Sequence, residues 1–442
     1  MPPVKRSTRW QETLDARKPG PICPQIVTKG SVIEEDEFTQ FSSKVTMLPP
    51  AEGMTEDCLT LDIIVPMGIK QIRTLEELDP SPVLVWFHGG DFLRGSSQDQ
   101  DGSILAAKSG IIIVKVNYRL GIFGFLSMGV QTLVPGNAGL LDQKLALEWI
   151  QENIREFGGD PGRVTIFGDD AGSKSVALHL FINDSQPLFH RAIIQNDINF
   201  PWNLPDSSAQ TVRDLSVKVG CGQSQDNFNP ANAVECLQSI SIDELLSAAE
   251  AITNASWSPV RDDILFKVGE TEYVIGSHDV MLGITSWSDV NTISTFIQRD
   301  SPSSGVSEEE FNDVISGIVA SFNPVNQSEL IASSIRQSYN NWEDPHNEIL
   351  RALSLMRLLN DWDVLNPAFE FLRLWVPQEG DANVFVFVFD DSSNVNSTAQ
   401  APVSSLSEFI WGQPFQESEM SSFSRNLSQN VIYYWKYFNE KG

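Results

Sequence analysis

Long apolar runs and basic residues are scarce in this 442-residue sequence. No apolar run reaches about 18 residues, so no segment is predicted to span a membrane. The 30 Lys and Arg residues stand against 58 Asp and Glu residues, which leaves a formal net charge of −28. A surface with this charge repels nucleic acid and anionic lipid and favours basic or calcium-bridged protein partners. Acidity that is kept for solubility explains the same charge equally well.

Cysteine is limited to four residues, an even number that is compatible with two disulfides. Residues 1–6 contain no apolar core, so the sequence as given has no signal peptide. Asn-x-Ser/Thr triplets, the acceptors of N-linked glycans, nevertheless occur. Such triplets arise by chance, but together with the cysteines they favour an extracellular chain whose leader is missing here. The triplets begin at Asn183, Asn254, Asn326, Asn396 and Asn426.

Nearly continuous apolar runs at residues 83–87 and 111–116 are rich in β-branched side chains. They predict central parallel strands that are covered on both faces. Between residues 139 and 157 apolar side chains recur at three- and four-residue steps, which predicts a helix that ends at the glycines that follow. Residues 191–195 predict a further strand. This alternation predicts an α/β fold, with helices on both faces of a mostly parallel, doubly wound sheet.

The second half of the chain is predicted to be mostly helical at 240–370, with a late strand at 383–389 and a closing helix at 430–438. The Ser- and Asn-rich stretch 391–407 is predicted to be a loop. No internal repeat and no linker between two domains is visible. We therefore expect a single domain over residues 1–442.

A strand, a tight turn and a helix are predicted in succession at residues 163–180. The turn, Gly168-Asp-Asp-Ala-Gly172, has the glycine frame of the G-x-S-x-G nucleophile elbow, in which a strained turn lifts one side chain above the sheet. Its central position carries Asp170 instead of serine. An elbow aspartate can attack C–halogen or epoxide carbon, but that scheme also needs a histidine that activates water.

Further motifs follow one another in a fixed order, and with the elbow they resemble the type-B carboxylesterase/cholinesterase family of α/β-hydrolases from about residue 23 to the end. The resemblance implies an α/β-hydrolase fold, whose N-terminal hairpin and C-terminal residues are missing from this truncated chain. It also implies that Cys23 pairs with Cys58 and Cys221 with Cys236. The motifs are Glu56-Asp-Cys-Leu-Thr-Leu-Asp62, His88-Gly-Gly90, Asn117-Tyr-Arg-Leu-Gly-Ile-Phe-Gly-Phe125, Gly136-Asn-Ala-Gly-Leu-Leu-Asp-Gln143 and Phe157-Gly-Gly-Asp-Pro161.

The resemblance assigns a position to each member of the family's catalytic triad. The nucleophile position holds Asp170, a gapless match places Met281 at the acid position, and the interval before Trp411 places Val403 at the histidine position. None of the five histidines lies in the loop at 391–407. Loss of the nucleophile or the base alone costs a serine triad on the order of a million-fold in turnover. We therefore expect no ester hydrolysis by the family's mechanism.

The oxyanion loop implied by the resemblance comprises Gly89, Gly90 and Asp91, and Ala171 completes the site. Asp91 takes the place of a third glycine. A carboxylate beside a developing oxyanion opposes it electrostatically. This substitution adds to the expectation that the chain is catalytically inactive.

Asp91, Asp169 and Asp170 are expected to converge at the end of the elbow strand. Such a cluster could raise the pKa values of its members or hold a cation; no other metal and no cofactor is expected. His88 is expected to belong to the structural turn of the oxyanion loop. His278 lies near the proposed acid position and is expected to be a packing or surface residue.

The resemblance extends to the non-catalytic branch of the family, which includes the neuroligins, gliotactin, neurotactin and glutactin. It implies an extracellular cell-adhesion or protein-interaction module with a protein partner, either secreted or the ectodomain of a membrane protein. It also implies a homodimer through the late helices at about 350–366 and 425–439. Two alternatives remain: an ester hydrolase with altered or residual activity, and a small-ligand carrier that uses the former active-site gorge.

Overall fold

The computed structural model describes residues 16–26, 53–66, 79–130, 132–222, 229–252, 257–267, 277–285, 305–321, 328–375, 382–389, 406–417 and 420–441. Its strands are β1 (Leu61–Ile64), β2 (Ser81–Phe87), β3 (Ile112–Val116), β4 (Gly159–Asp169), β5 (Arg191–Gln195), β6 (Asp279–Thr285) and β7 (Val384–Phe389). They form one sheet in the order β1-β3-β2-β4-β5-β6-β7. β1 is antiparallel to β3, and the other neighbouring strands are parallel.

The central strands are covered on both faces because they are apolar at nearly every position. In β2, Val83, Val85 and Phe87 pack into one apolar cluster. Leu84 and Trp86 pack into a second cluster on the opposite face. This division follows from the two-residue repeat of a strand. The sheet therefore has an apolar core on each side, as its sequence predicts.

The helices are α1 (Ser103–Ser109), α2 (Gly121–Phe125), α3 (Ala138–Asn153), α4 (Ala171–His179), α5 (Ala209–Lys218), α6 (Pro230–Leu237), α7 (Ile242–Glu250), α8 (Glu308–Ser321), α9 (Ser328–Tyr339), α10 (Glu348–Asn360), α11 (Asn366–Trp375), α12 (Leu406–Trp411) and α13 (Ser422–Lys441). α1, α12 and α13 cover the face that contains Trp86. α3, α4 and α11 cover the other face, while α8, α9 and α10 share a third cluster. None of the helices in the described ranges is long and apolar enough to cross a membrane.

The predicted strands at 83–87, 111–116, 163–167, 191–195 and 383–389 are present as β2, β3, β4, β5 and β7. The predicted helix at 139–157 is present as α3 and a 3₁₀ turn, Ile154–Phe157, that follows it, and the predicted helix at 430–438 lies within α13. Residues 240–370 were expected to be mostly helical, but β6 lies within them. This apolar segment forms a strand because it pairs with β5 on one side and β7 on the other, and its side chains are buried on both faces of the sheet.

Both disulfides implied by the family resemblance are present, one between Cys23 and Cys58 and one between Cys221 and Cys236. The first ties the segment at 16–26 to the residues that precede β1. The second closes a loop between α5 and α6. Disulfides of this kind form in oxidising compartments.

The carboxyl ends of β2, β4, β5 and β6 meet at one edge of the sheet. Phe87 pairs with Gly168, Asp169 with Gln195, and Gln195 with Gly283. Ligands of open parallel sheets bind outside this edge. The loops that leave it therefore form the candidate site.

Candidate functional site

Asp170 occupies a strained turn between β4 and α4. Its backbone has φ 50° and ψ −123°, which is a conformation that side chains other than glycine rarely adopt. Two glycines permit the turn: a Cβ on Gly168 would lie 2.2 Å from the carbonyl carbon of Gly172, and one on Gly172 would lie 2.0 Å from the carbonyl oxygen of Phe87. The glycine spacing therefore produces a sharp elbow with a carboxylate at its tip.

The Asp170 carboxylate turns back onto the loop that follows β2. Its Oδ2 accepts hydrogen bonds from the amides of Gly90, at 2.6 Å, and Asp91, at 3.1 Å. Gly89 leaves room for this approach, because a Cβ there would lie 3.0 Å from Oδ2 of Asp170. Ala171, also assigned to the oxyanion site, is the buried first residue of α4. Two amides of the oxyanion loop thus hold an anionic side chain of the protein itself.

Asp91 keeps a glycine-like backbone at the third position of this loop, with φ 55°. The residue is exposed to solvent. Loss of hydration and the neighbouring Asp170 nevertheless raise its pKa, while Lys174 and Arg94 lower it. The structure thus brings a second carboxyl group next to Asp170, as the sequence predicts.

The Asp169 side chain contacts Trp86, which lies on the face of the sheet that α12 and α13 cover. The indole Nε1 of Trp86 donates a hydrogen bond of 3.2 Å to its Oδ1. Trp86 packs edge-on against Trp411, with ring centroids 4.9 Å apart. Burial raises the pKa of Asp169 to about 6; the bond from Trp86 lowers it, and the charge of Asp170 raises it further.

Lys174 supplies positive charge at this edge of the sheet. It lies one helical turn after Asp170 and interacts electrostatically with Asp197, Asp170, Asp91 and Asp363. Burial alone lowers the pKa of Lys174, but these four carboxylates raise it above its ordinary value. The ammonium group therefore stays protonated at neutral pH.

Two of these carboxylates come from distant parts of the chain. Asp197 follows β5, and Asp363 lies in a π-helical turn, Asp361–Leu365, between α10 and α11. Burial raises the pKa of Asp197 to about 6, with Lys174 opposing this and Asp170, Asp363 and Asp91 adding to it. Burial likewise raises the pKa of Asp363, and Lys174 lowers it. Negative charge is crowded here, and Lys174 partly neutralises it.

A cation site at Asp91, Asp169 and Asp170 is not supported by this geometry. Across the described part of the chain, no group of three or more His, Cys, Asp or Glu side chains could hold a metal ion. Lys174 instead interacts electrostatically with Asp91 and Asp170, and Asp169 accepts a hydrogen bond from Trp86.

His88 belongs to the structural turn, as expected. Its Nδ1 lies 2.8 Å from the carbonyl oxygen of Gly89, and its ring stacks on Tyr118 with centroids 4.3 Å apart. Gly95 packs against the ring, since a Cβ there would lie 2.4 Å from Nδ1. Burial lowers the pKa of His88, although Asp99 and Asp170 raise it.

The other four histidines lie in environments of their own. The imidazole of His278, which was expected to serve packing, stacks on Phe189. Two backbone amides donate hydrogen bonds to the Asp170 carboxylate. The remaining contacts are His179 with Ser185 and Gln143, His190 with the amide of Val164, and His278 Nε2 with the carbonyl oxygen of Gln186, while His346 is exposed ahead of α10.

Met281 was assigned to the acid position in a loop, and this placement needs correction. It lies inside β6, where it pairs with Ile193 and Phe385. Its side chain is 5% exposed and packs in the apolar cluster with Trp86. Met281 therefore lies in the interior of the sheet and not among the residues that leave its carboxyl edge. Val403, assigned to the histidine position, lies outside the described residues.

Two clefts stand out among the described residues, and Asp170 lines neither. One, of about 360 Å³, is open to solvent and is lined by residues near the first disulfide, including Pro21, Met54 and Gln98. The other, of about 10 Å³, is too small for a ligand. Neither cleft lies at the elbow, so neither supports the carrier alternative.

Two of the predicted glycan acceptors, Asn183 and Asn426, are described and both are exposed. Asn254, Asn326 and Asn396 lie outside the described residues. Asn426 lies on α13, on the same helical face as the exposed side chains of Tyr433 and Tyr437. A glycan at Asn426 would share that face.

The two helices expected to pair in a dimer differ in exposure. α10 is largely buried against α8 and α9, and only Glu348, Ile349 and Arg357 are exposed along it. α13 exposes Tyr433, Tyr434 and Tyr437 at 56%, 63% and 54%. Of the two, α13 offers the larger apolar surface to a partner.

Sequence reasoning missed Lys174, Trp86, Asp197 and Asp363. Lys174 could have been found, because it follows Asp170 by four residues in a predicted helix and so lies on the same face. Trp86 precedes the oxyanion loop, but nothing in its strand predicts a bond to Asp169. The two aspartates reach the site through the tertiary fold alone.

The comparisons with known proteins agree with this architecture. The acetylcholinesterase of Bungarus fasciatus is 30% identical over 465 residues, which cover 98% of this chain and 70% of that protein. The acetylcholinesterase of Electrophorus electricus is 28% identical, with 100% of this chain and 73% of that protein covered. Neuroligin-2 of Mus musculus is 30% identical, with 100% of this chain and 55% of that protein covered. A model described as the carboxylesterase family matches residues 1–442. The chain belongs to the carboxylesterase family.

Proposed function

We propose that this chain is an extracellular protein-interaction module that does not hydrolyse esters. The observation that carries the proposal is the Asp170 carboxylate, whose Oδ2 accepts hydrogen bonds from the amides of Gly90 and Asp91. A serine hydrolase needs such amides to be free for the oxyanion of its tetrahedral intermediate. With an anion of the protein already in place, a developing oxyanion would be repelled instead of stabilised.

The triad chemistry is affected as well. A carboxylate at the elbow is not the hydroxyl nucleophile of the family's mechanism, and two backbone amides donate hydrogen bonds to it. For a serine triad, removal of one such member costs on the order of a million-fold in turnover. The changes at the nucleophile and in the oxyanion loop act on the same step.

An interaction role is supported by three features of the chain. The net charge of −28 favours basic or calcium-bridged protein partners. The two disulfides suit an extracellular location. The similarity to neuroligin-2 extends along the whole chain. We further propose that two copies pair through the face of α13 that exposes Tyr433, Tyr434 and Tyr437.

Catalysis is tested with purified, secreted protein and a p-nitrophenyl ester. We expect no rate above the blank for the wild type or for Asp170→Ser, because the serine variant restores the nucleophile and frees the two loop amides but still lacks a histidine at the base position. Asp263→Ser is the control, since Asp263 is likewise an aspartate with positive φ but is exposed and does not belong to the elbow. A saturable rate in the wild type that Asp170→Asn abolishes would contradict the proposal and support the hydrolase alternative.

The interaction role is tested with fluorescent tetramers of the chain on intact cells. We expect saturable binding that is lost when surface proteins are removed from the cells with trypsin. Absence of trypsin-sensitive binding across a panel of cell types would contradict it. Pairing of two copies is tested by light scattering of the wild type and Tyr434→Glu, of which only the wild type should be dimeric. A monomeric wild type would contradict the proposed pairing.

A further inference from the structure

We propose that the Asp170 side chain is the built-in ligand of a carboxylate-binding cradle, and that this cradle takes free acetate or formate once the side chain is removed. The inference concerns the same residues as the proposed function but does not depend on whether the chain is catalytic. It assigns the loop after β2 an anion-binding role that its own elbow satisfies.

The cradle is formed by its own turn and not by Asp170. Gly90, Asp91 and Phe92 have successive positive φ angles of 101°, 55° and 61°. Consecutive amides in turns of this kind form concave anion-binding nests. The turn is closed by hydrogen bonds from the amides of Leu93, at 2.9 Å, and Arg94, at 3.1 Å, to the carbonyl oxygen of Gly90. The two amides that hold Asp170 should therefore keep their direction when its carboxylate is absent.

The base of the loop is fixed independently as well. His88 precedes it, is buried and stacks on Tyr118, whose hydroxyl donates a 2.6 Å hydrogen bond to the carbonyl oxygen of His88. Gln25 accepts a hydrogen bond from the amide of Gly95 at the other end of the loop, at 2.9 Å. Neither contact involves the elbow.

The size of the site selects its ligand. Replacing Asp170 with glycine removes a CH₂–COO⁻ group, and acetate has the same non-hydrogen atoms as this group. Gly89 forms a close wall, because even a Cβ there would lie 3.0 Å from Cβ and Oδ2 of Asp170. A carboxylate that is branched next to its carboxyl carbon should not fit. Glycine is also the residue that the φ of 50° at position 170 suits best.

The charges around the cradle include both signs. Lys174 favours an anion, and its pKa is raised by Asp197, Asp170 and Asp91 in spite of its burial. The Asp91 side chain opposes an anion, as it does Asp170 in the wild type. Removing the charge of Asp170 leaves Lys174 with one carboxylate fewer. A free carboxylate restores the original balance.

The test compares thermal unfolding of the wild type, Asp170→Gly and Asp263→Gly in sodium acetate and in sodium chloride at equal ionic strength. Asp263→Gly is matched because it also relieves an aspartate at positive φ, 59°. For Asp170→Gly we expect the melting temperature to rise by about 1–2 °C once acetate exceeds its Kd tenfold. We expect no acetate-specific rise in the other two proteins. Pivalate, which is branched, should have no effect, and the resonance of ¹³C-labelled acetate should broaden only with Asp170→Gly.

The proposal is overturned if folded Asp170→Gly shows no acetate-specific shift, or if the wild type shows the same shift. If Asp170→Gly does not fold in chloride, acetate must restore its folding, and failure to do so also overturns the proposal. Asp170→Asn keeps an oxygen in the cradle and should bind no acetate. Ester hydrolysis by the wild type would contradict the proposed function and would leave this binding result unchanged.

Discussion

Asp197→Asn should make the protein progressively more stable than the wild type as pH rises from 4 to 7.5. Burial raises the pKa of Asp197 to about 6 in the folded protein, from an ordinary value of 3.8. Between these two values the folded protein binds more protons than the unfolded chain, so the free energy of unfolding falls as pH rises. Asparagine has a similar shape and does not titrate in this range. The variant therefore does not suffer this loss.

The magnitude follows from the same pKa. Ionising Asp197 in the folded protein costs about 3 kcal/mol more than in the unfolded chain, since each pKa unit corresponds to about 1.4 kcal/mol. The difference in free energy of unfolding between Asp197→Asn and the wild type should grow by about 2.5 kcal/mol between pH 4 and pH 7.5, because Asp197 of the unfolded chain is already more than half ionised at pH 4. Only this growth is predicted, because the offset at pH 4 also contains any polar contacts that the substitution changes.

Urea unfolding followed by tryptophan fluorescence measures this difference, since the chain has 11 tryptophans. Asp184→Asn is the matched control, because the side chain of Asp184 is 82% exposed. Its difference curve should be flat within about 0.5 kcal/mol, as for ordinary surface positions. An equally flat curve for Asp197→Asn, or one that falls with pH, would refute the reasoning about burial around Lys174.

Three further outcomes are expected. Gly172→Ala should lower the free energy of unfolding, measured with urea, by about 3 kcal/mol or more, because its Cβ would lie 2.0 Å from a carbonyl oxygen of β2. Gly317→Ala in α8 is the control: its Cβ would meet open space, so it should raise the free energy of unfolding by about 0.5–1 kcal/mol. Replacing both cysteines of the Cys221–Cys236 disulfide with serine should cost about 3 kcal/mol, read by calorimetry, since the bond spans 15 residues. In secreted protein Asn426→Gln should raise the fraction of dimer measured by light scattering, because it removes a glycan from the face of α13 that exposes the tyrosines. Asn183→Gln should leave the dimer fraction unchanged, and the same dimer fraction in both variants would contradict this prediction.

Most of the sheet could be predicted because its strands are short apolar runs with clear turn residues at their ends. β6 was missed for a local reason. Its segment was matched without a gap to the family's acid loop, which placed Met281 outside the sheet. The structure pairs Met281 with Ile193 and Phe385 in the sheet interior. The uninterrupted apolar character of residues 280–282 indicates a strand and conflicts with the motif match.

The elbow could be predicted because its geometry depends on local glycine spacing, and the approach of Asp91 and Asp170 followed from neighbouring strand ends. The position of the Asp170 carboxylate could not be predicted. Its hydrogen bonds to the loop after β2 depend on the direction of one side chain across about 80 residues of sequence. The electrostatic interaction of Lys174 with Asp197 and Asp363 likewise could not be predicted, because it forms only when three separate segments pack together.

The amides of the loop after β2 and the ammonium group of Lys174 explain how a carboxylate can replace a hydroxyl at a strained, half-buried turn. A buried charge without partners costs several kcal/mol, yet the Asp170 carboxylate has amide donors on the loop after β2 and the ammonium group of Lys174 on α4. The amides are part of the oxyanion loop, so the feature that would assist ester hydrolysis also makes Asp170 tolerable. A lysine-to-methionine change at 174 should therefore destabilise the wild type more than Asp170→Asn, in which the charge is already absent. Equal destabilisation of both backgrounds would show that Lys174 acts on other carboxylates and not on the elbow.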